Sequence, residues 1–172
     1  MILTDLSRVR AVFLDVDGVL TDGTVQVNEA GDQLRTFSIK DGYAIQLAVK
    51  KGLYIAVITG GNSQGVYKRL QGLGVKEVFM GESNKEKKMH ELLHKHGIAL
   101  ADTLFMGDDI PDLDCMKQVG LAVCPLDAVE EIKQVSAYVS PFKGGAGCVR
   151  DVLEKILKLQ GKWNQDTEVK SI

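Results

Sequence analysis

Cysteine is scarce in this sequence of 172 residues, which contains only Cys115, Cys124 and Cys148. No two of them form a C-x-x-C pair, so neither a disulfide framework nor a thiolate zinc site is indicated. No apolar run is long enough to cross a membrane, and residues 1–10 hold no long apolar segment typical of a secretion signal. We therefore expect a cytoplasmic protein that makes no use of disulfide bonds.

An excess of either charge is also lacking. The formal net charge is −2, which gives no positive field for attracting nucleic acid. Hydrophobic residues make up 45% of the chain and charged residues 26%, proportions typical of a globular domain. We predict a single domain over residues 1–163, followed by a polar, flexible tail over residues 164–172.

Strand-like and helix-like segments alternate along the chain. Apolar runs of strand length occur at 10–14, 53–58, 75–80, 103–106, 121–124 and 137–139. Segments with helical character lie between and after them, at 41–51, 64–73, 85–96, 113–119, 128–135 and 149–159. This alternation predicts an α/β fold with a doubly wound, mostly parallel, Rossmann-like sheet. Asp41 is the expected N-cap of the first of these helices.

A predicted β-hairpin interrupts this order after the first strand. Residues 24–27 and 34–39 alternate in polarity around the turn sequence Asn28-Glu29-Ala30-Gly31. One small hairpin cannot bury its own apolar side chains, which here are Val25, Val27, Leu34, Phe37 and Ile39. We therefore predict that the segment from about 23 to 40 is an oligomerisation hairpin.

Two carboxylates follow the first predicted strand. Asp15 and Asp17 are two residues apart and come directly after the apolar residues 11–14. Residues i and i+2 of a strand share a face, so both side chains point the same way. Like charges held so close repel each other, and a divalent cation such as Mg²⁺ relieves the repulsion.

Polar residues also end or follow the next three strands, at Thr59, Lys85 and Asp108. A parallel sheet brings its strand ends to one edge, where α/β proteins keep their chemistry. Asp15, Asp17 and Asp108 provide enough hard oxygen for one Mg²⁺. The hydroxyl of Thr59 and the ammonium of Lys85 are suited to binding a phosphoryl group.

These motifs, D-x-D-G-V-L-T, I-T-G, Lys85 and G-D-D-x-x-D, resemble those of the haloacid dehalogenase superfamily of phosphatases. Four further segments resemble those of one group within this superfamily, the phosphatases of 2-keto-3-deoxy sugar acids, which lack a separate cap domain over the active site. These segments are Lys40-Asp41-Gly42-Tyr43, Ser83-Asn84-Lys85, Gly144-Gly145 and Leu159-Gln160-Gly161-Lys162. The resemblance covers residues from about 10 to 162. It implies an Mg²⁺-dependent hydrolase and a homotetramer whose subunits cover one another's sites.

The resemblance implies a role for each motif residue. Asp15 would be the nucleophile that forms an aspartyl-phosphate, and Asp17 would be the general acid and then the general base. Thr59 and Lys85 would bind the phosphoryl oxygens. Asp15, Asp108 and the main-chain carbonyl of Asp17 would bind Mg²⁺.

Two outer groups of residues follow from the same resemblance. Asp109 and Asp112 would support the water ligands of the metal and orient Lys85. The sugar acid would be bound by residues that follow the hairpin, by residues near the helix after the second strand, and by Lys85. The full set is Ser38, Ile39, Lys40, Asp41, Gly42, Gln46, Gly60, Asn62, Arg69 and Lys85.

The sequence departs from the family pattern at two positions. Arginine is frequent in the family where this chain has Gly61 and Ala146. Asn62 and Lys143 are the candidates to compensate for these two cations. The implied substrate is the 8-phosphate of an eight-carbon sugar acid. The alternatives are the 9-phosphate of a nine-carbon, sialic-type sugar acid and a non-catalytic assembly domain.

The segment His90-Glu91-Leu92-Leu93-His94 matches the H-E-x-x-H pattern of zinc proteases. Met89, Leu92 and Leu93 form the apolar stripe of the same helix, so the two histidines should face solvent. We interpret the match as accidental.

Overall fold

The computed structural model describes residues 2–164, 166–170 and 172. Its strands are β1 (Ala11–Leu14), β2 (Gln26–Val27), β3 (Gln33–Leu34), β4 (Tyr54–Ile58), β5 (Glu77–Phe79), β6 (Thr103–Met106), β7 (Leu121–Cys124) and β8 (Tyr138–Val139). Its α-helices are α1 (Ile2–Arg8), α2 (Ile39–Lys50), α3 (Gln64–Gly72), α4 (Lys85–His96), α5 (Leu113–Met116), α6 (Glu130–Val135) and α7 (Cys148–Leu159). Two 3₁₀ helices cover Leu100–Asp102 and Ile110–Asp112.

Six of the strands form one parallel sheet in the order β5-β4-β1-β6-β7-β8. The central strand β1 pairs with β4 on one side and β6 on the other, so Leu14 lies level with Val57 and Met106. The chain segments that follow these three strands therefore emerge at the same edge. The predicted α/β fold is confirmed.

The alternation of side chains along β1 explains why the whole strand is apolar. Val12 and Leu14 pack into one core, which α1, α2 and α7 cover, whereas Ala11 and Phe13 pack into a second core on the opposite face. All four residues are buried. A strand with helices on both faces has no polar side, as expected for a parallel sheet.

Three details differ from the sequence prediction. Helix α1, over Ile2–Arg8, was not predicted. The antiparallel strands β2 and β3 are only two residues long each, shorter than the predicted hairpin arms. The N-cap of α2 is Ser38, whose Oγ accepts a hydrogen bond from Asp41 N at 3.3 Å, so the prediction of Asp41 as N-cap was wrong.

The described part of the predicted tail, residues 166–170 and 172, contacts α2. Asp166 pairs with Lys50 at 2.8 Å, and Gln46 Nε2 donates to the carbonyl of Lys170 at 2.7 Å. Residues 165 and 171 lie outside the described part, and the flexibility of the tail stays a prediction. No helix in the described ranges has the length and apolar character needed to span a bilayer.

Candidate active site

A buried lysine and two carboxylates meet at the edge where β1, β4 and β6 end. Lys85 Nζ lies 2.9 Å from Asp15 Oδ1 and 2.7 Å from Asp112 Oδ1. All three side chains are largely withdrawn from solvent, with 7%, 10% and 1% of their surfaces exposed, respectively. A buried cation between two buried anions satisfies the rule that buried charges are paired.

Local structure explains how Lys85 reaches this edge. Asn84 caps α4 by accepting a hydrogen bond from Lys87 N at 2.8 Å, so Lys85 is the first residue of the helix. Burial disfavours its charge, but Asp15 and Asp112 outweigh that effect and raise the pKa of Lys85. The side chain is therefore a permanent cation at neutral pH, as its predicted role requires.

The loop after β6 brings in a third carboxylate. Asp108 N donates to Asp112 Oδ2 at 3.1 Å, which closes the loop on itself. The carboxylate of Asp108 packs directly over Gly18, where a Cβ would lie 1.9 Å from Asp108 Oδ2 and where φ is +87°. Only glycine combines this close approach with this backbone conformation. The Gly18 of the D-x-D-G motif thus gives Asp108 its place beside Asp15.

The carboxylates fit a hard divalent cation. Oxygens of Asp15, Asp108 and Asp112 lie within 4.8 Å of one another. Asp108 Oδ1 is buried and accepts no hydrogen bond from the described residues, whereas the buried Asp15 Oδ1 forms an ion pair with Lys85 Nζ at 2.9 Å. Buried oxygens without donors need another partner, and Mg²⁺ prefers carboxylate ligands. Asp112 joins this cluster of side chains. The predicted ligand from Asp17 is its main-chain carbonyl, and that role stays a prediction.

Electrostatics at this edge reflect crowding of negative charge. Burial, and then repulsion from Asp112, raise the pKa of Asp15 to about 6 although Lys85 opposes the shift. Burial, and then repulsion from Asp15 and Asp112, raise the pKa of Asp108 to about 7. A cation bound between the carboxylates would favour their ionised forms, which a nucleophile and a metal ligand both require.

A cavity of about 610 Å³ opens above this cluster and provides space for a phosphate ester. Its lining includes Asp15, Asp17, Thr59, Lys85 and Asp108, so the structure brings the five predicted core residues together. Thr59 is buried, and its Oγ1 accepts a hydrogen bond from Gly61 N at 3.2 Å. The hydroxyl retains its own proton as a donor toward the cavity.

The residues predicted to support the metal site and to bind the sugar differ in whether they lie at the catalytic cavity. Asp112 lies against Lys85 as expected, whereas Asp109 is exposed and caps the 3₁₀ helix over Ile110–Asp112 with a hydrogen bond from Ile110 N. Of the predicted sugar-binding residues, Gly60 and Lys85 line the catalytic cavity. The others, which are Ser38, Ile39, Lys40, Asp41, Gly42, Gln46, Asn62 and Arg69, do not line it.

Asp41 has partners that the sequence did not indicate. Its buried carboxylate accepts hydrogen bonds from Arg150 N at 2.7 Å and Gly147 N at 3.3 Å, at the beginning of α7. Helix α7 has no side-chain cap of its own, so Asp41 satisfies its free N–H groups. These contacts give Asp41 a structural role, and its contact with the sugar acid stays a prediction.

Arg35 is a partner of Asp17 that the sequence motifs did not reveal. Its guanidinium donates to both oxygens of the Asp17 carboxylate, from Nε to Oδ1 at 2.6 Å and from Nη2 to Oδ2 at 3.1 Å. The two residues are 18 positions apart, and no motif joins them. The only signal was an arginine within the second predicted hairpin arm, residues 34–39.

The H-E-x-x-H segment is not part of a metal site in the described residues. His90 Nε2 contacts Gln118 Oε1 at 2.7 Å, Glu91 pairs with Lys88 on the surface, and His94 is exposed. Met89, Leu92 and Leu93 are buried as the apolar stripe predicted. That the H-E-x-x-H match is accidental stays an interpretation.

Fold and site together define a haloacid dehalogenase-like hydrolase, and the model of that family matches residues 72–150. A curated 3-deoxy-D-manno-octulosonate 8-phosphate phosphatase from Salmonella typhi is 36% identical over 164 residues, which are 95% of this chain and 87% of the relative. The chain therefore belongs to the family of 3-deoxy-D-manno-octulosonate 8-phosphate phosphatases.

Solved structures agree with this assignment. The phosphatase of the same name from Yersinia pestis superposes with a TM-score of 0.91 at 34% identity, over 93% of this chain and 86% of that one. The phosphatase from Moraxella catarrhalis, solved with magnesium, phosphate and KDO, superposes with a TM-score of 0.90 at 33% identity, over 93% and 92%. The family resemblance stated from the motifs is confirmed.

Proposed function

We propose that this protein is an Mg²⁺-dependent phosphatase that hydrolyses 3-deoxy-D-manno-octulosonate 8-phosphate to the free sugar acid and phosphate. The observation that carries the proposal is the contact of Lys85 with Asp15 and Asp112 beside the unpartnered oxygen of Asp108. A nucleophile, a fixed cation and a metal-binding oxygen are thereby present within one cavity. The reaction would supply a precursor of lipopolysaccharide.

The proposed reaction has two in-line transfers, both at the carboxylate of Asp15. In the first, an Asp15 oxygen bonds to phosphorus while the bond from phosphorus to the sugar oxygen breaks, and Asp17 gives that oxygen a proton. In the second, a water oxygen bonds to phosphorus, Asp17 takes the water proton, and the bond from Asp15 to phosphorus breaks. One residue thus serves as acid and then as base.

Charge neutralisation makes this attack feasible. A carboxylate approaches an anionic phosphate only if nearby cations offset the repulsion. Lys85 supplies one permanent positive charge at 2.9 Å from Asp15, and Thr59 adds a hydroxyl donor. Mg²⁺ held by Asp15 and Asp108 would supply Lewis-acid stabilisation of the phosphoryl oxygens.

The hairpin supports a homotetramer as part of the same proposal. Val25, Val27, Leu34 and Ile39 expose between 43% and 63% of their surfaces, as the oligomerisation hairpin requires. Most of the predicted sugar-binding residues lie away from the cavity, so a neighbouring subunit would complete the sugar end of the site. Residues 1–163 would form the phosphatase domain of each subunit.

We also propose a cytoplasmic location. All three cysteines are buried and free, as in proteins of a reducing compartment.

A phosphatase of nine-carbon sugar acids is the second candidate. Gly61 lines the cavity without the cation that is frequent at this position, which changes what can bind a sugar carboxylate. The set Asp15, Thr59, Lys85 and Asp108 is common to both candidates. The same intact set argues against a non-catalytic assembly domain.

Steady-state kinetics with both sugar phosphates test the proposal. We expect kcat/KM for the eight-carbon 8-phosphate to exceed that for the nine-carbon 9-phosphate, and activity to vanish when EDTA removes Mg²⁺. A preference for the nine-carbon ester would select the second candidate. No phosphate release from either ester would refute the proposed chemistry.

A further inference from the structure

Each nitrogen of the Arg35 guanidinium donates one hydrogen bond. Two nitrogens hold the two oxygens of Asp17, and Nη1 donates to the carbonyl of Gln33 at 3.4 Å. The Arg35 side chain is only 7% exposed, whereas that of Asp17 is 36% exposed and lines the cavity. A surface ion pair would leave the arginine in solvent. Here the arginine is packed behind the carboxylate.

A two-pronged contact of this kind fixes orientation as well as position. Parallel N–H···O bonds to both oxygens oppose rotation of the carboxylate about its terminal bond. A single hydrogen bond would leave that rotation free. The contact therefore decides in which direction the oxygens of Asp17 face the cavity.

Gly61 lies directly beside this contact. A Cβ on Gly61 would lie 3.4 Å from Asp17 Oδ2 and 3.6 Å from Arg35 Nη2. A longer side chain at this position would extend toward the space that the ion pair occupies. In this structure the cation beside Asp17 comes from the hairpin.

We propose that Arg35 is a positioning residue that holds the carboxylate of Asp17 in the orientation needed for proton transfer. The inference rests on the proposed function, in which Asp17 first protonates the leaving oxygen and then deprotonates water. General acid–base catalysis demands that the carboxylate lie within hydrogen-bond reach of both protons. Arg35 follows β3 directly, so the hairpin that carries the exposed apolar residues also sets the geometry of Asp17.

Two esters with different leaving groups separate positioning from a merely structural role. A sugar phosphate needs a proton on its leaving oxygen, whereas a dinitrophenyl phosphate does not. In Arg35→Ala, we expect kcat for the sugar phosphate to fall roughly 10–100-fold, within the range that general acid–base catalysis contributes.

With dinitrophenyl phosphate, the same variant should form the aspartyl-phosphate at close to the wild-type rate but hydrolyse it slowly. Rapid mixing would then show a burst of dinitrophenolate of about one equivalent per active site. Arg35→Lys should recover part of the lost kcat, because an ammonium can hold one oxygen but not both. Arg8→Ala is the matched control, since Arg8 pairs with Asp102 on the surface with 62% of its side chain exposed.

Three results would overturn the inference. One is a kcat of Arg35→Ala within twofold of wild type on the sugar phosphate. Another is an equal slowing of aspartyl-phosphate formation from both esters. The third is a dinitrophenolate burst that is smaller than that of wild type in the same proportion as kcat, which would mean that fewer active sites are folded. A wild-type enzyme that cleaves neither ester would instead refute the proposed function, and this inference with it.

Discussion

The two ends of the substrate cavity are built differently. The phosphoryl end consists of Asp15, Thr59, Lys85 and Asp108, which are placed by buried parallel strands and a capped helix. In the proposed function the sugar end lies toward the hairpin, whose strands are two residues long and exposed. Short motifs predict the first end because the sheet fixes where strand ends converge. No such scaffold fixes the second, so in the proposed assembly its residues depend on the path of a loop and on neighbouring subunits.

This contrast agrees with the chemistry that each end performs. Phosphoryl transfer needs groups held in fixed geometry, which rigid elements provide. Recognition of a particular sugar acid needs contacts that can differ between enzymes, and loops provide them. Substitutions at the phosphoryl end should therefore have large effects on activity and stability. Substitutions in the hairpin and on the exposed faces of the helices should have smaller effects.

Asp15→Asn should have the largest effect of all. The amide keeps the size of the side chain but is no nucleophile, so kcat should fall by roughly 10⁴-fold or more. Phosphate release under saturating substrate measures it, with Asp102→Asn as the surface control. Activity above a tenth of wild type would remove Asp15 from the nucleophile role.

Lys85→Met should be costly to stability as well as to activity. It leaves the buried carboxylates of Asp15 and Asp112 without their cation, and breaking a buried pair costs about 3–5 kcal/mol. Urea unfolding of the metal-free protein measures the loss. Lys88→Met, which breaks a surface pair with Glu91, should cost less than about 1 kcal/mol. If both variants lose the same free energy of unfolding, the buried ion pairs of Lys85 are no more important for stability than a surface pair.

The raised pKa values predict how stability depends on pH. Folding lifts the pKa of Asp15 from 3.8 to about 6 and that of Asp108 from 3.8 to about 7, so the folded state binds more protons than the unfolded state in this range. The contribution of these groups is full below pH 4 and is lost as the pH rises toward 7, by several kcal/mol in total at about 1.4 kcal/mol for each pH unit between the unfolded and folded pKa values.

Thermal melts of the metal-free protein between pH 4 and 8 test this dependence. Asp108→Asn should flatten it, and the stabilisation by Mg²⁺ should grow over the same range. If the melting temperature of wild type and that of Asp108→Asn change with pH at the same slope, Asp15 and Asp108 are not the cause of the pH dependence.

Leu34→Glu should separate assembly from folding. Leu34 is 56% exposed, so a charge there should disrupt contacts between subunits while changing the stability of a single subunit by less than about 0.5 kcal/mol. Light scattering after size exclusion should show a tetramer for wild type and smaller species for the variant. A wild-type monomer would refute the proposed role of the hairpin.

The smallest effect is expected at the H-E-x-x-H segment. The double substitution His90→Ala and His94→Ala should leave kcat, metal content and melting temperature nearly unchanged, because the helix buries Met89, Leu92 and Leu93 instead. Elemental analysis and a melt check this. Loss of one tightly bound zinc per chain would reverse the interpretation.

Periodicity and strand-end logic were sufficient for the sheet and the catalytic core. They failed where contacts between segments that are distant in sequence determine the position of a side chain or a helix. Arg35 contacts Asp17 through the path of the hairpin, and Asp41 caps α7 more than 100 positions away. Helix α1 was missed because the short segment Ile2–Arg8 is held by packing of α1 on α7, which local pattern does not reveal.

The most direct test is a crystal structure with Mg²⁺ and a fluoroberyllate, which mimics a phosphoryl group on a carboxylate. The account predicts beryllium bonded to an Asp15 oxygen, its fluorines within reach of Lys85 and Thr59, and one Mg²⁺ bound by both Asp15 and Asp108. Metal bound elsewhere, or an Asp108 carboxylate that takes no part in holding it, would contradict the account.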